Sequence, residues 1–156
     1  VGPPAAAWLV SRAVLDLGVA GRRGLDMGSG TGVLSIVAAK CGAAHIDAVD
    51  IDDWAYANCR ENILANGVAQ AVAPILGDVV ASPGSVTVLS SPISTAISSR
   101  PTCRPMPRRS NPEAICDERI PRTGRPGIVA CAARQGMALA ATAEKEGWMM
   151  VHVRKG

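Results

Sequence analysis

The residues best suited to chemistry form a glycine-rich loop with a carboxylate before it. Residues 26–32 read Asp-Met-Gly-Ser-Gly-Thr-Gly and overlap the end of a short predicted strand, Arg23–Met27. A glycine loop between a first strand and a helix is typical of sites that receive a nucleotide-like ligand through backbone N–H groups and the helix N-terminus. Glycines at such a turn can also serve geometry alone. Three of them in five residues, with acids after successive strands, favour a binding site.

The third glycine and the acid separate two classes of ligand. The dinucleotide fingerprint G-x-G-x-x-G needs a small residue at position 33, where this chain has Val33, and its extra glycine, Gly32, falls one place early. Asp26 lies two residues before Gly28. A carboxylate there repels a pyrophosphate and attracts ammonium and sulfonium groups. The loop therefore favours S-adenosylmethionine as cofactor, with a dinucleotide as the alternative.

Two more acids follow the next two predicted strands. Asp50 comes twenty-two residues after Gly28, where a carboxylate can accept from both hydroxyls of a ribose. Asp78 is placed to reach an adenine amino group, and Ile51 to lie against the adenine face. The pattern predicts no catalytic residue and no metal ligand. The predicted cofactor-binding residues are Asp26, Gly28, Ser29, Gly30, Gly32, Asp50, Ile51 and Asp78.

The elements that position these residues alternate between strand and helix. Apolar spacing and turn residues predict helices over residues 3–17, 33–41, 53–66 and 127–136, with Asp53 as the N-cap of the third. They predict parallel strands over residues 23–27, 45–49 and 72–76, and an antiparallel C-terminal hairpin of residues 137–142 and 148–153. We therefore predict an α/β, Rossmann-like sheet that starts as βαβαβ, with helices on both faces.

Composition narrows the compartment and the kinds of site. The five cysteines form no C-x-x-C pair and there are two histidines, which argues against a zinc site. An odd, scattered set of cysteines favours a reducing, cytoplasmic location. The sequence has no run of about 18 apolar residues, so it predicts no membrane span. A length of 156 residues suits one domain, residues 1–156.

One internal segment differs from the rest in charge and composition. Residues 82–126 hold seven arginines against three acids, a net charge of +4, while the other residues carry a net charge of −1. Eight of the eleven prolines also lie there. Such a segment can be a solvated basic linker or an RNA-contacting insert. It has no aromatic residue on which a base could stack, which argues against direct nucleic-acid binding.

The stretch of residues 25–68 resembles a known family. Its glycine loop, its Asp-Ile-Asp at 50–52 and its Asn-Cys-Arg-Glu-Asn at 58–62 are similar to class I S-adenosylmethionine-dependent methyltransferases. The closest resemblance is to PrmA, the family that methylates ribosomal protein eleven of the large subunit, and residues 143–156 resemble its C-terminal hairpin. The resemblance implies methyl transfer to lysine side chains and an N-terminal amine of that protein, with Gly28 and Asp50 at cofactor-contacting positions. The alternatives are a methyltransferase acting on RNA or a small molecule, and a non-catalytic remnant that keeps the cofactor-binding fold.

The chain departs from this family in three places. It starts too late to contain the family's N-terminal substrate-recognition domain, which we expect to be absent. Residues 2–7 lack the threonine that contacts the cofactor in the family. Residues 92–95 read Pro-Ile-Ser-Thr where the family has an Asn-Ile-Asn loop.

The third departure suggests a change of reading frame. Codons can be chosen for residues 92–98 so that the neighbouring frame encodes Asn-Ile-Asn-Arg-Asn-Ile, which contains the missing loop motif. We therefore predict that residues 84–126 are an irregular or out-of-frame segment. On this hypothesis the sheet lacks a proper fourth strand.

Overall fold

The computed structural model describes residues 5–77, 86–90, 113–118, 130, 133 and 136–155. Three helices have full bounds: α1 (Ala5–Leu17), α2 (Val33–Lys40) and α3 (Asp53–Ala65). The strands are β1 (Arg23–Met27), β2 (His45–Asp50), β3 (Val72–Leu76), β4 (Val86–Ser90), β5 (Glu113–Glu118), β6 (Met137–Lys145) and β7 (Trp148–Lys155).

The strands form one seven-stranded sheet in the order β3-β2-β1-β4-β5-β7-β6. The first five strands in this order pair in parallel, and β7 pairs antiparallel with both β5 and β6. The predicted Rossmann-like sheet with its antiparallel end is confirmed. The chain runs outward from β1 to β3 on one side and from β4 on the other, so the strand order reverses beside β1. In open parallel sheets, ligands bind at the carboxyl ends of the strands at such a reversal.

The two faces of the sheet carry separate hydrophobic clusters. One cluster joins side chains of α1, α2 and α3 to the strands and includes Val10, Leu34, Ile46 and Ile63. The other lies on the opposite face and includes Leu25, Val49, Met137, Met149, Val151 and Val153. Strands β1 and β2 are buried over most of their length, because both faces of the sheet are covered there. This is typical of parallel sheets.

The elements around the loop agree with the predicted ones, but one cap differs. The N-cap of α3 is Asp52, whose Oδ1 accepts a hydrogen bond from the N–H of Ala55 at 2.9 Å. The prediction of Asp53 as the cap is wrong, because Asp53 already belongs to the helix whereas Asp52 has the extended backbone typical of an N-cap. Strand β2 also runs one residue further than predicted and includes Asp50.

The C-terminal hairpin is confirmed and is longer than predicted. Lys145 pairs with Trp148 across a two-residue loop, Glu146 and Gly147. Their φ angles are 51° and 79°, and two successive left-handed residues are typical of a type I′ hairpin turn. Of the helix predicted over residues 127–136, Ala130 and Ala133 are helical, and most of the other positions lie outside the described residues.

The prediction that the sheet lacks a fourth strand is wrong. Strand β4 lies directly beside β1 and pairs with it along its whole length, from Arg23 with Val86 to Met27 with Ser90. Its sequence, Val-Thr-Val-Leu-Ser, contains the β-branched residues that favour a strand. The basic, proline-rich residues on either side of it favour irregular structure, which is why the sequence does not predict this strand. Strand β5 also lies within residues 84–126. The remainder of that segment is outside the described residues.

Candidate functional site

The glycine loop, residues 28–32, connects β1 to α2 at the strand-order reversal. The φ angle is 71° at Gly28, 54° at Gly30 and 79° at Gly32. A residue with a Cβ pays about 1–2 kcal/mol for such a left-handed conformation. The alternating glycines of the sequence are therefore explained by the backbone path, before any ligand is considered.

The N–H groups of the loop are mostly committed to the protein itself. Four of the five donate to acceptors in β2 or in the loop: Gly28 to Val49 O at 2.8 Å, Ser29 to Val49 O at 3.1 Å, Gly30 to Asp50 Oδ2 at 2.8 Å, and Gly32 to Ser29 O at 2.8 Å. The end of β2 accepts from three of these groups and Ser29 accepts from the fourth, whereas the sequence predicts that such N–H groups bind a ligand. A loop with its donors committed is a poor cradle for a pyrophosphate.

Asp50 is the carboxylate that organises the site. It is buried, with 8% of its surface exposed. Its Oδ2 accepts from the N–H of Gly30 at 2.8 Å and its Oδ1 from the N–H of Asp52 at 3.0 Å. A carboxylate has about four acceptor sites, so the hydrogen bonds from the described residues leave about one on each oxygen. Two neighbouring acceptor sites match the two adjacent hydroxyls of a ribose.

Asp26 lies beneath the loop rather than at its surface. Its side chain is fully buried and accepts a hydrogen bond from the Ser35 hydroxyl on α2 at 2.7 Å. Because the carboxylate has no exposed surface, it can act on a ligand through its charge, whereas direct contact would require the loop to move. The serine lies in the first turn of α2, where the helix dipole also favours a negative charge.

Gly32 is in close contact with helix α3. A Cβ placed on this glycine would lie 2.7 Å from Cys59 Sγ, which is closer than these atoms can approach. Burial raises the pKa of the Cys59 thiol, the nearby Ser29 hydroxyl lowers it, and the negative charges of Asp26 and Asp50 raise it further. Cys59 is therefore a buried thiol close to two carboxylates.

Cys59 is expected to react with iodoacetamide more slowly than Cys41 in the folded protein at pH 8. The thiolate is the reactive form, and Cys59 is buried with a raised pKa whereas Cys41 is partly exposed. The folded state keeps the Cys59 proton at pH values where the unfolded chain releases it. This group's contribution to the free energy of unfolding is therefore unchanged at low pH and falls as pH rises past the ordinary thiol pKa.

Mass spectrometry of the two peptides after timed alkylation measures this difference. In urea both peptides should be labelled at similar rates, which serves as the control. Equal rates in the folded protein would contradict the placement of Cys59 under the loop.

The other predicted site residues differ in how the structure presents them. Ile51 is 74% exposed and stands beside Asp50 at the end of β2, open to a planar ligand. Ser29 contributes its backbone to the loop, and its hydroxyl oxygen is buried and makes no hydrogen bond to the described residues. Asp78 lies outside the described residues.

Two residues that support the site carry no signal strong enough for sequence reasoning to assign a role. Ser35 fixes Asp26, and Asn62 of α3 donates from Nδ2 to the Thr31 carbonyl at 2.9 Å. A serine or asparagine within a helix is ordinarily read as a surface residue. The run at 58–62 marked Asn62 as part of a family pattern, but its contact spans 31 positions and appears only in the folded chain.

The described residues hold neither a metal-binding cluster nor a membrane-spanning helix. No group of three or more His, Cys, Asp or Glu side chains is arranged to hold a metal ion in the part of the chain that the structure describes. Among the same residues, no helix combines the length and apolarity that crossing a membrane requires.

The sheet order, the glycine loop after β1 and the acid at the end of β2 define a class I S-adenosylmethionine-dependent methyltransferase fold. A ribosomal protein L11 methylase from Lactobacillus delbrueckii subsp. bulgaricus superposes with a TM-score of 0.74 at 20% identity, over 94% of this chain and 77% of that one. Magnesium protoporphyrin IX methyltransferase from Synechocystis PCC 6803, solved with bound SAM, superposes with a TM-score of 0.71 at 18% identity, over 94% and 76%. At these identities the likeness establishes the fold alone.

The family follows from the sequence match. The family model described as ribosomal protein L11 methyltransferase (PrmA) matches residues 13–93, just over half of the chain. The chain belongs to this family. A relative of that name from Porphyromonas gingivalis is 49% identical over 55 residues, which are 35% of this chain and 19% of the relative. One from Bacteroides fragilis is 42% identical over 76 residues, 49% of this chain and 27% of the relative. The matched stretches thus span about a fifth to a quarter of these curated relatives.

Proposed function

We propose that this chain binds S-adenosylmethionine at the carboxyl ends of β1 and β2. The observation that carries the proposal is Asp50, a buried carboxylate that keeps one acceptor site per oxygen beside the glycine loop. In this arrangement Asp50 accepts from the ribose hydroxyls and Ile51 covers the adenine face. Asp78 is proposed to accept from the adenine amino group.

The charge of the site supports a cationic cofactor over a dinucleotide. Two buried carboxylates, Asp26 and Asp50, lie at the loop, and negative charges there favour a cation over a pyrophosphate. The loop N–H groups that would bind a pyrophosphate donate instead to Val49, Asp50 and Ser29. The carbonyl oxygens of Ser29, Thr31 and Gly32 each accept a hydrogen bond within the protein. We propose that the carbonyl oxygens of Gly28 and Gly30 accept from the ammonium group.

We further propose that the reaction is methyl transfer to amines of ribosomal protein L11, on lysine side chains and the N-terminus. Bound S-adenosylmethionine supplies a methyl group on a sulfonium. A neutral substrate amine would accept this methyl group by displacing the thioether sulfur, which would keep the bonding pair. The nitrogen would then carry the positive charge and would release a proton to solvent. The described residues contribute binding and orientation to this step, and orientation of reactants is a recognised source of rate enhancement. A ribosomal protein as substrate suits a cytoplasmic enzyme.

Titration calorimetry with S-adenosylhomocysteine, with NAD as the comparison ligand, tests the cofactor. Saturable binding of the first and none of the second is expected, and the reverse result would overturn the proposal. Incubation with labelled S-adenosylmethionine and either purified ribosomal protein L11 or RNA then tests the substrate. Label in the protein is expected. Label in RNA alone would replace the proposed substrate. Cofactor binding without transfer to either would leave a small-molecule substrate or a non-catalytic remnant.

A further inference from the structure

A side-chain amide of helix α3 donates a hydrogen bond to the glycine loop. Asn62 Nδ2 donates to the Thr31 carbonyl oxygen at 2.9 Å. The N–H of the next residue, Gly32, donates to Ser29 O at 2.8 Å. The Thr31 carbonyl and the Gly32 N–H belong to the same peptide group, and in a trans peptide they point in opposite directions. This peptide group is therefore held at both ends, from outside the loop by Asn62 and from inside it by Ser29.

The peptide needs this restraint because of its neighbours. Gly30 and Gly32 flank Thr31, and glycine adopts positive and negative φ with similar ease. The bonds that flank this peptide are the ψ bond of Thr31 and the φ bond of Gly32, and rotation about the glycine bond meets little steric resistance. A side-chain donor from another element can select one orientation.

The rest of the loop is anchored to the same part of the fold. Val49 O at the end of β2 accepts from the N–H groups of Gly28 and Ser29, and the neighbouring Asp50 accepts from that of Gly30. On α3, Cys59 Sγ packs against Gly32. Every residue of the loop is therefore held, directly or through Ser29, by β2 and α3. Asn62 is the anchor that fixes Thr31.

We propose that Asn62 is a positioning residue, which holds the Thr31–Gly32 peptide in the orientation that receives the cofactor. The inference rests on the proposed cofactor site. The side chain acts through the loop backbone, with no contact to the reacting atoms. Losing one neutral hydrogen bond of this kind corresponds to about a tenfold weaker cofactor affinity.

The chain offers a matched control in Asn58, one turn earlier on the same helix. Its Nδ2 donates at 2.9 Å to the Trp54 carbonyl of its own helix. Asn58→Ala removes the same chemical group and a hydrogen bond of the same length, without touching the loop. Asn62→Asp provides a second variant, since it keeps the size of the side chain and replaces the donor by an acceptor.

Two measurements test the proposal: amide hydrogen exchange at Gly32 and the Kd for S-adenosylhomocysteine. Asn62→Ala and Asn62→Asp should speed exchange at Gly32 and weaken binding about tenfold, while Asn58→Ala changes neither. Equal effects of Asn58→Ala and Asn62→Ala, or unchanged exchange at Gly32, would overturn it. If the unsubstituted chain does not bind the ligand, the proposed cofactor site is wrong, and the exchange rates still decide whether Asn62 fixes the loop.

Discussion

Gly32→Ala is expected to lower the free energy of unfolding by about 2–5 kcal/mol and to abolish cofactor binding. Two effects add. The left-handed φ of 79° costs a residue with a Cβ about 1–2 kcal/mol. The new Cβ would also lie 2.7 Å from Cys59 Sγ, and overpacking of this kind costs about 1–3 kcal/mol. Relief by moving α3 would displace Asn62 and with it the loop. Urea unfolding and calorimetry with S-adenosylhomocysteine measure the two losses.

Two further variants separate strain from collision. Gly18 has a similar φ of 61° with nothing within 4 Å of a built Cβ, so Gly18→Ala should show the backbone term alone. Adding Cys59→Ala to Gly32→Ala removes the sulfur and leaves the remaining contacts at 3.6 Å. The double variant should therefore be less destabilised than the sum of the two single ones. Strict additivity, or an equal loss in Gly18→Ala, would show that the contact with Cys59 is not what requires a glycine.

Asp50→Ala is expected to weaken S-adenosylhomocysteine binding at least about a hundredfold, since hydrogen bonds to charged groups contribute about 1.5–3 kcal/mol each. The substitution removes both proposed acceptors of the ribose. It also removes the acceptors of the Gly30 and Asp52 N–H groups, so the loop loses an anchor. A second loss, in the free energy of unfolding, is therefore expected, and thermal unfolding of the ligand-free protein measures it.

Asp53→Ala is the matched control for Asp50→Ala. Asp53 lies three positions later, in the first turn of α3, and is exposed. Its removal takes away one negative charge near the site without touching the loop. A small change in affinity is expected from this charge alone. Comparable losses in both variants would mean that Asp50 acts only through its charge and does not hold the ribose.

The fold shortens the segment, residues 84–126, that we predicted to be irregular or translated out of frame. Strand β4 (Val86–Ser90) pairs with β1, and the family match continues to residue 93. A change of reading frame, if present, therefore begins after β4 and not at residue 84. The coding nucleotide sequence tests this hypothesis, because a neighbouring frame that does not encode an Asn-x-Asn loop after residue 90 would exclude a change of reading frame.

That residues 1–156 form one domain remains our proposal.

The core of the fold and the place of the site could be predicted from the amino-acid sequence alone. The order β1, glycine loop, α2, β2, α3 follows from apolar runs, glycines and caps, which are local signals within about fifteen residues. Asp50 was predictable for the same reason, because the end of a parallel strand lies at the ligand-binding edge wherever the strand sits in the sheet. These features depend on neighbours along the chain, which the sequence displays directly.

Other features became visible only in the folded chain. The hydrogen bonds from the loop N–H groups to Val49 and Asp50 join residues about twenty positions apart. The hydrogen bond from Asn62 to Thr31 spans 31 positions. The reason for Gly32 is likewise a sulfur atom on another helix. The basic, proline-rich composition around β4 argues against a strand there. The strand forms because it pairs with β1, and the local sequence does not show that pairing. Each of these contacts forms because the topology of the sheet brings together groups that are far apart in the sequence. Local sequence patterns carry no information about which distant groups will meet.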